Sequence, residues 1–345
     1  MAPYDMGQTD FDAQIDEIVA LAAPDEASAD RDLIREMVVT SLKLGRDTPD
    51  RGDLKLINSA LKEMRYSFLV FQQYRTVPKV TIYGSARTAP HHPNYRLASD
   101  FANRMADEHG WMVVTGAGPG IMEAGNLGAG SDASFGVNIR LPFEAEANPY
   151  VHEARLINYK YFFTRKLMFV KESDAFALFP GGFGTQDEAF ELLTLVQTGK
   201  SDLHPIVMIE AEGTGYWTAW RDFVATLSDQ GMISEDDRHL FKITSDLEEA
   251  VDEIRTFYGN YHSQRYVNGR LVLRLKHEPT DEVVTDLNAE FADIVVSGQI
   301  KKVPATEAEV QTGDNVELPR VMFHYDRRHF GRLRQLVDRL NSAAR

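Results

Sequence analysis

The sequence predicts an α/β protein built on a doubly wound parallel sheet. Three observations lead there. Short apolar runs end three times in a glycine-rich turn that opens a helical pattern, at Gly84, Gly116 and Gly181. From Lys79 to Phe257 strand-like runs alternate with helix-length amphipathic segments, the order that gives parallel strands with helical crossovers. The most informative unit is Asp174 to Gly199, DAFALFPGGFGTQDEAFELLTLVQTG, a buried strand, a glycine turn and a helix in succession. The expected architecture is Rossmann-like over residues 77–260. An N-terminal helical extension occupies 1–76 and a small α+β appendage 261–345.

Residues 1 to about 30 are acidic and Ala-rich, with one amphipathic run, Phe11 to Leu21, expected to be a mobile or loosely docked helix. Two helical patterns fill Asp30 to Arg75, split at Gly45–Arg46–Asp47–Thr48–Pro49. The second carries Leu54, Ile57, Leu61, Met64, Phe68 and Phe71 at helical spacing, a packing stripe for the core or a partner subunit. Lys79 to Gly84, KVTIYG, is the first strand, with Gly84–Ser85–Ala86–Arg87 after it, where doubly wound folds hold ligands. Asn94 to His109 reads as a helix and Trp111 to Thr115 as the second strand. Gly116–Ala117–Gly118–Pro119–Gly120 then opens a helix, Ile121 to Ala129. That turn has G-x-G-x-G spacing and follows the second strand, so it is not a dinucleotide fingerprint. Its company raises its value, because loops at one sheet edge converge on one ligand. Ser134 to Ile139 is the third strand, and Leu141–Pro142–Phe143 leads into a polar loop.

Tyr159 to Lys171, YKYFFTRKLMFVK, reads as a helix with Phe162, Phe163, Leu167, Phe169 and Val170 as its core face. Arg165 and Lys166 interrupt it, either as a snorkelling pair or with one of them in a cleft, where Arg suits planar anion recognition. Ala175 to Phe179 is a buried strand. The turn Pro180–Thr185 lets backbone amides approach an anion closely, and the helix behind it adds free N–H groups and a partial positive charge. Thr185 is the expected N-cap of a helix from about Gln186 to Thr198, with Phe190, Leu193 and Val196 on one face and Gly199 closing it. Thr185–Gln186–Asp187–Glu188 fits a capping box. It equally fits a carboxylate held beside an anion site to face a ribose or a water, and the motif alone leaves both open. Pro205–Glu210, a helix around Trp217–Ser228, a strand at Phe241–Thr244 and a capped helix, Ser245–Phe257, complete the main domain.

Beyond Tyr258, Tyr266–Lys276 reads as a strand with Asn268–Gly269 near its start. Thr280–Val296 reads as a helix, Ile300–Val303 and Pro319–Tyr325 as strands and Gly331–Leu340 as a helix. Pro304–Leu318 is polar and turn-rich, a surface loop. Composition bounds the function. The charge is 37 minus 52, or −15, which argues against a nucleic-acid surface. There is no cysteine, hence no thiol nucleophile and no Cys-based metal site. The ten histidines are scattered without metal-ligand spacing. No apolar run reaches membrane-spanning length and the N-terminus lacks a signal-like pattern, so a cytoplasmic protein with no membrane partner, metal or cofactor is expected.

YFFTRKLMFVK followed by FPGGFGTQDEAFELLTLVQTGK resembles the LONELY GUY family, nucleoside 5′-monophosphate phosphoribohydrolases often labelled lysine decarboxylases. Gly84–Ser85, the Gly116–Gly120 loop with Ile121–Met122–Glu123, and Gly136–Val137–Asn138–Ile139 match in the same order, so the likeness covers about Lys79 to Tyr258. The resemblance implies that Arg165 and Glu188 are catalytic and that Gly181, Gly182, Gly184 and Thr185 hold the phosphate. Gly84, Ser85, Gly116, Gly118, Gly120, Glu123 and Lys166 complete the candidate substrate-contacting set. It implies a homodimer, and hydrolysis of AMP or an N6-modified AMP to free base and ribose 5-phosphate. This sequence departs from the family at Ala117, where Gly is usual, and at Gln186–Asp187, where Leu-Glu is commoner. The competing expectations are a non-catalytic nucleotide sensor of the same fold and, from the Gly116–Gly120 turn, a nicotinamide-dependent oxidoreductase. A pyridoxal-phosphate enzyme finds no lysine in a recognisable context.

Overall fold

The computed structural model describes residues 4–22, 30–47, 49–140 and 147–343. The chain separates into two compact units, Met1–Arg65 and Tyr66–Arg345. In the first, α1 (Thr9–Ala22) packs on α2 (Arg31–Arg46). Met6, Ile15, Val19 and Val39 make a small core, and Arg35 bridges Asp12 and Asp16 at 3.4 and 2.6 Å. The helix expected to be loosely docked therefore has its own partner. The next helix, α3 (Arg51–Gln72), begins beyond the expected break, of which Thr48 lies outside the described residues. The expected stripe is covered only at its end: Phe71 is buried, while Leu54, Ile57, Leu61 and Phe68 stay exposed.

The second unit contains β1 (Lys79–Tyr83), α4 (Pro93–Asn103), β2 (Met112–Thr115), α5 (Ile121–Ala129), β3 (Ser134–Ile139), β4 (Leu156–Tyr159), α6 (Phe162–Glu172) and β5 (Ala175–Leu178). After them come α7 (Phe183–Gln197), β6 (Ile206–Ile209), α8 (Tyr216–Asp229), β7 (Lys242–Thr244) and α9 (Leu247–Phe257). The seven strands form one sheet in the order β4-β3-β2-β1-β5-β6-β7, every pair parallel. The short strands are buried on both faces, as parallel strands covered by helices must be. Val80, Ile82, Val113, Ala175, Ala177, Val207 and Ile209 face a core with Ala98, Phe101, Ile121 and Ile254. On the opposite face Tyr83 meets Phe169 edge-on and stacks near Phe176.

Two expectations change here. A fourth strand, β4, lies where a loop was read, and Tyr159 ends that strand instead of opening α6. Four residues are too few to show periodicity. The Leu141–Pro142–Phe143 segment lies outside the described residues. The face of α6 is also different: Thr164, Arg165, Met168 and Phe169 are buried, whereas Phe162, Phe163 and Leu167 are 52, 53 and 49% exposed. Phe169 is buried as expected, and apolar content misplaced Phe162, Phe163 and Leu167 because the helix buries its arginine.

The remaining elements are β8 (Tyr261–Val267), β9 (Arg270–Leu275), α10 (Asp281–Glu290), β10 (Val295–Lys302), α11 (Glu307–Thr312), β11 (Arg320–Tyr325) and α12 (Phe330–Ser342). The strands form an antiparallel sheet, β10-β11-β9-β8. The single strand expected over Tyr266–Lys276 is a hairpin. Asn268 and Gly269 are its turn, at φ +49° and +81°, the left-handed pair that a two-residue hairpin requires. The expected long helix stops at Glu290, and Val295 already belongs to β10, so the order is β-β-α-β-α-β-α instead of β-α-β-β-α. The supposed surface loop contains α11, whose Thr306 and Glu309 form a capping box. The Glu309 carboxylate is fully buried between Arg274 and Arg320, at 2.8 Å from each. Polar composition hid a buried ion cluster. Helix α12 packs on α7, α9 and β8. Asn341 accepts from the Asn260 and Tyr261 amides at 2.9 and 2.8 Å. The Phe330 ring fills the space over Gly199, which closes α7 at φ +65° as expected.

Candidate active site

The strand order reverses between β1 and β5. Loops at the carboxyl ends of such neighbours diverge to leave a crevice. The loops after β1, β2 and β5 are sewn together around it. Ser85 donates its amide to Pro180 O at 3.1 Å and its carbonyl accepts from Ile121 N at 3.0 Å. The approach is too close for side chains: a Cβ at Gly120, which has φ +70°, would run into Ser85 O, and one at Gly181 would strike Thr185 Oγ1 and sit 3.0 Å from Ser85 N. The cleft has a volume of about 740 Å³, within the range of small-molecule sites.

Ten sequence candidates line this cleft: Gly84, Ser85, Gly116, Gly118, Arg165, Gly181, Gly182, Gly184, Thr185 and Glu188. Three lie outside its lining. Gly120 is buried, where it permits the contact with Ser85. Glu123 faces Tyr95 on α4, where its charge adds to burial in raising the pKa of that hydroxyl. Lys166 is turned away into ion pairs with Asp187 at 2.7 Å and Glu191 at 3.0 Å, so it clasps α6 to α7.

Helix α7 starts earlier than expected. Its N-cap is Gly182, with no side-chain cap, so Thr185 is the third helical residue and not the cap, and Glu188 closes no capping box. The helix begins within the glycine turn, and its first N–H groups, which have no intrahelical acceptor, lie along the cleft wall. Glu188 is released from capping. Its side chain is 13% exposed and its nearest cation is Arg165, with Nη1 to Oε1 at 3.9 Å. Burial raises its pKa to about 7, against the lowering pull of Arg165 and Lys166.

Arg165 is fixed from three sides. Its Nε donates to Val137 O at 2.9 Å, its guanidinium lies over the Phe169 ring, 5.1 Å from the centroid, and its Nη2 occupies the space over Gly116, 2.5 Å from where a Cβ would be. A guanidinium held over a glycine beside a buried carboxylate can bind an anion or a leaving group while the carboxylate faces developing positive charge.

The second loop shows how its departure is accommodated. Ala117 is fully buried and adopts φ +57°, a conformation that an L-residue reaches only at a cost. Its methyl group fits because Gly136 opposite has none: a Cβ there would come within 2.8 Å of it. Two residues missed in the sequence hold the loop. Asn148 donates its amide to Ala117 O at 2.8 Å and its side chain to Gly118 O at 3.1 Å. Asn126 accepts from Asn148 at 3.0 Å and from Thr115 Oγ1 at 2.6 Å. Asn148 follows an unpatterned stretch, and no sequence signal singles it out. Among the described residues, no group of three or more His, Asp or Glu side chains could hold a metal ion, and no helix is long and apolar enough to cross a membrane.

Residues 117–254 match the family model described as "Possible lysine decarboxylase". A cytokinin riboside 5′-monophosphate phosphoribohydrolase of Arabidopsis thaliana is 32% identical over 93 residues, 27% of this chain and 42% of the relative. A probable enzyme of the same description from Oryza sativa subsp. japonica is 29% identical over 102 residues, 29% of this chain and 46% of the relative. The chain thus spans under half the length of these two relatives. Among solved structures, a molybdenum cofactor binding protein from Rippkaea orientalis covers 52% of this chain and 96% of its own, at 20% identity and a TM-score of 0.38. The sequence matches bear out the resemblance to the LONELY GUY family over the segment that carries the paired motifs.

Proposed function

We propose that this protein hydrolyses the N-glycosidic bond of a nucleoside 5′-monophosphate, AMP or an N6-modified AMP, to give the free base and ribose 5-phosphate. The observation that carries the reading is the buried Arg165–Glu188 pair, 3.9 Å apart, in the same cleft as the uncapped N-terminus of α7. In this reading the amides of Gly182 to Thr185 bind the 5′-phosphate, and this remote binding places C1′ near Glu188. Bond cleavage leaves positive charge on the ribose ring. The Glu188 carboxylate stabilises that charge and takes a proton from the attacking water, and Arg165 steadies the departing base, which leaves neutral once that proton has passed to it. One water is consumed, and the phosphoester is untouched.

Incubation with AMP and chromatography for adenine tests it. Adenine release that depends on the 5′-phosphate, with adenosine a far poorer substrate, is the expected result. Tight AMP binding without base release would leave a nucleotide sensor instead, and equal rates on AMP and adenosine would remove the phosphate assignment. We infer further that the active form is a homodimer. Supporting this, α6, which carries Arg165, exposes Phe162, Phe163 and Leu167, an apolar surface of the kind that subunit contacts cover.

A further inference from the structure

The loop from β6 to α8 has no part in the reading above, yet it grips the glycine turn that precedes α7. Glu210 directly follows β6 and is buried. Its carboxylate accepts from Thr214 Oγ1 at 2.6 Å, Tyr216 N at 2.7 Å and Trp217 N at 3.1 Å, a charged cap on the first turn of α8. Tyr216 is thereby fixed at the start of that helix. Its hydroxyl donates to Gly181 O at 2.6 Å and accepts from Gln186 Nε2 at 2.6 Å. One phenol therefore holds both ends of the segment from Gly181 to Gln186. The other amide atom, Gln186 Oε1, is buried without a partner. An aliphatic side chain at 186 would avoid that desolvation, so what Gln186 adds locally is its bond to Tyr216.

The consequence follows from peptide planarity. The carbonyl of residue 181 and the N–H of residue 182 share one plane and point in opposite directions, so anchoring Gly181 O fixes the direction of the Gly182 amide. Gly182 and Gly184, on either side of Phe183, have nothing within 4 Å of where a Cβ would sit. The two successive glycines that open the turn, Gly181 and Gly182, give its backbone a freedom that only an outside anchor removes.

We propose that Tyr216, held by Glu210 and braced by Gln186, is a positioning residue that pre-orients the Gly181–Thr185 amides to receive a phosphate monoester. The inference rests on the reading of that turn as the 5′-phosphate site.

The test uses the full chain with Tyr216→Phe and Gln186→Leu, separately and together. Ribose 5-phosphate binding is measured by calorimetry, AMP turnover by adenine release and folding by thermal melts. Losing one aligned hydrogen bond should raise the Kd for ribose 5-phosphate about three- to tenfold in Y216F. KM for AMP should rise by a similar factor and kcat should fall by less. Q186L should shift the same quantities by a smaller factor, and the double variant should be no worse than Y216F alone, because the two act through one phenol. Wild-type affinity for ribose 5-phosphate in Y216F overturns the clamp. So does a loss in kcat alone, or a loss matched by a fallen melting temperature. If Y216F does not fold, Q186L decides: unchanged ribose 5-phosphate affinity overturns the proposal. The hydrolase reading is separable. Ribose 5-phosphate binding that weakens in Y216F, with no adenine released by the wild type, refutes the hydrolase and leaves the clamp standing. A wild type that does not bind ribose 5-phosphate refutes both.

Discussion

Glu188 is a carboxylate that the fold keeps at a cost, and two measurements expose it. Burial lifts its pKa to about 7 from an ordinary 4.5. If the working form is the carboxylate, kcat/KM should climb with pH and level off above about 7. The stability consequence has the opposite sense. Between pH 4.5 and 7 the folded chain holds a proton there that the unfolded chain has released, so this residue's effect on stability worsens as pH rises. Glu188→Gln should therefore melt higher than wild type at pH 8, by at most about 3 kcal/mol, and the advantage should vanish near pH 4.5. The same variant should lose turnover and keep AMP binding. A variant that still turns over returns Glu188 to a structural role. Arg165 gives a second test through its neighbour. Gly116→Ala places a methyl group 2.5 Å from Nη2, while the Nε bond to Val137 limits retreat. Turnover should fall tenfold or more, with a stability loss of only about 1 kcal/mol, as read by steady-state kinetics and urea unfolding on the same preparations.

At the scale of elements, the glycine turns were legible because glycine marks close approach, and β1, β2, β3, β5 and β6 followed from short apolar runs before them. Two of the failures share one cause: burial of polar groups that a sequence scores as surface. Arg165 sits on the buried side of α6 while Phe162 and Phe163 do not. Glu309 turns a polar stretch into a packed helix. Thr185, the expected cap, is inside α7, whose N-cap is Gly182, three residues sooner. Lys166 is the instructive candidate. The sequence places it among the substrate contacts, but its ion pairs to Asp187 and Glu191 join the helix bearing Arg165 to the helix bearing Glu188. Its pKa, pulled down by burial, is lifted on balance by the hydrogen bonds it donates to Asp187 and Glu191. Lys166→Ala should lower kcat several-fold with KM for AMP unchanged, because what it loses is alignment. A raised KM with kcat intact would restore the direct contact.

For the whole molecule, two features beyond the cleft set stability and assembly. The Arg274–Glu309–Arg320 cluster lies between β9, α11 and β11. Burial pushes the Glu309 pKa up, but bonds from Thr306 and Arg274 and the charge of Arg320 bring it down to about 2. Its folded pKa is below the unfolded one, so its contribution is present above pH 4.5 and is lost as pH falls toward 2. Glu309→Gln should cost about 3–5 kcal/mol at neutral pH by leaving two buried arginines underpaired, as measured by urea unfolding, and should blunt the acid transition. Assembly depends on α6. Phe169 is fully buried beneath Arg165 and against Tyr83, so a charge there would unfold the domain and say nothing about a dimer. Leu167 is the sounder probe, since it is half-exposed on the same helix. Phe183, 97% exposed at the first turn of α7, lies at the cleft itself. If a second subunit covers this surface, Leu167→Glu should yield a folded monomer, with an unchanged circular dichroism spectrum and a reduced turnover, because Arg165 would lose the packing that steadies its helix. Light scattering across a dilution series, with activity assayed on the same samples, decides it: activity should fall as the wild type dissociates, and a monomer fully active at every concentration would falsify the dimer.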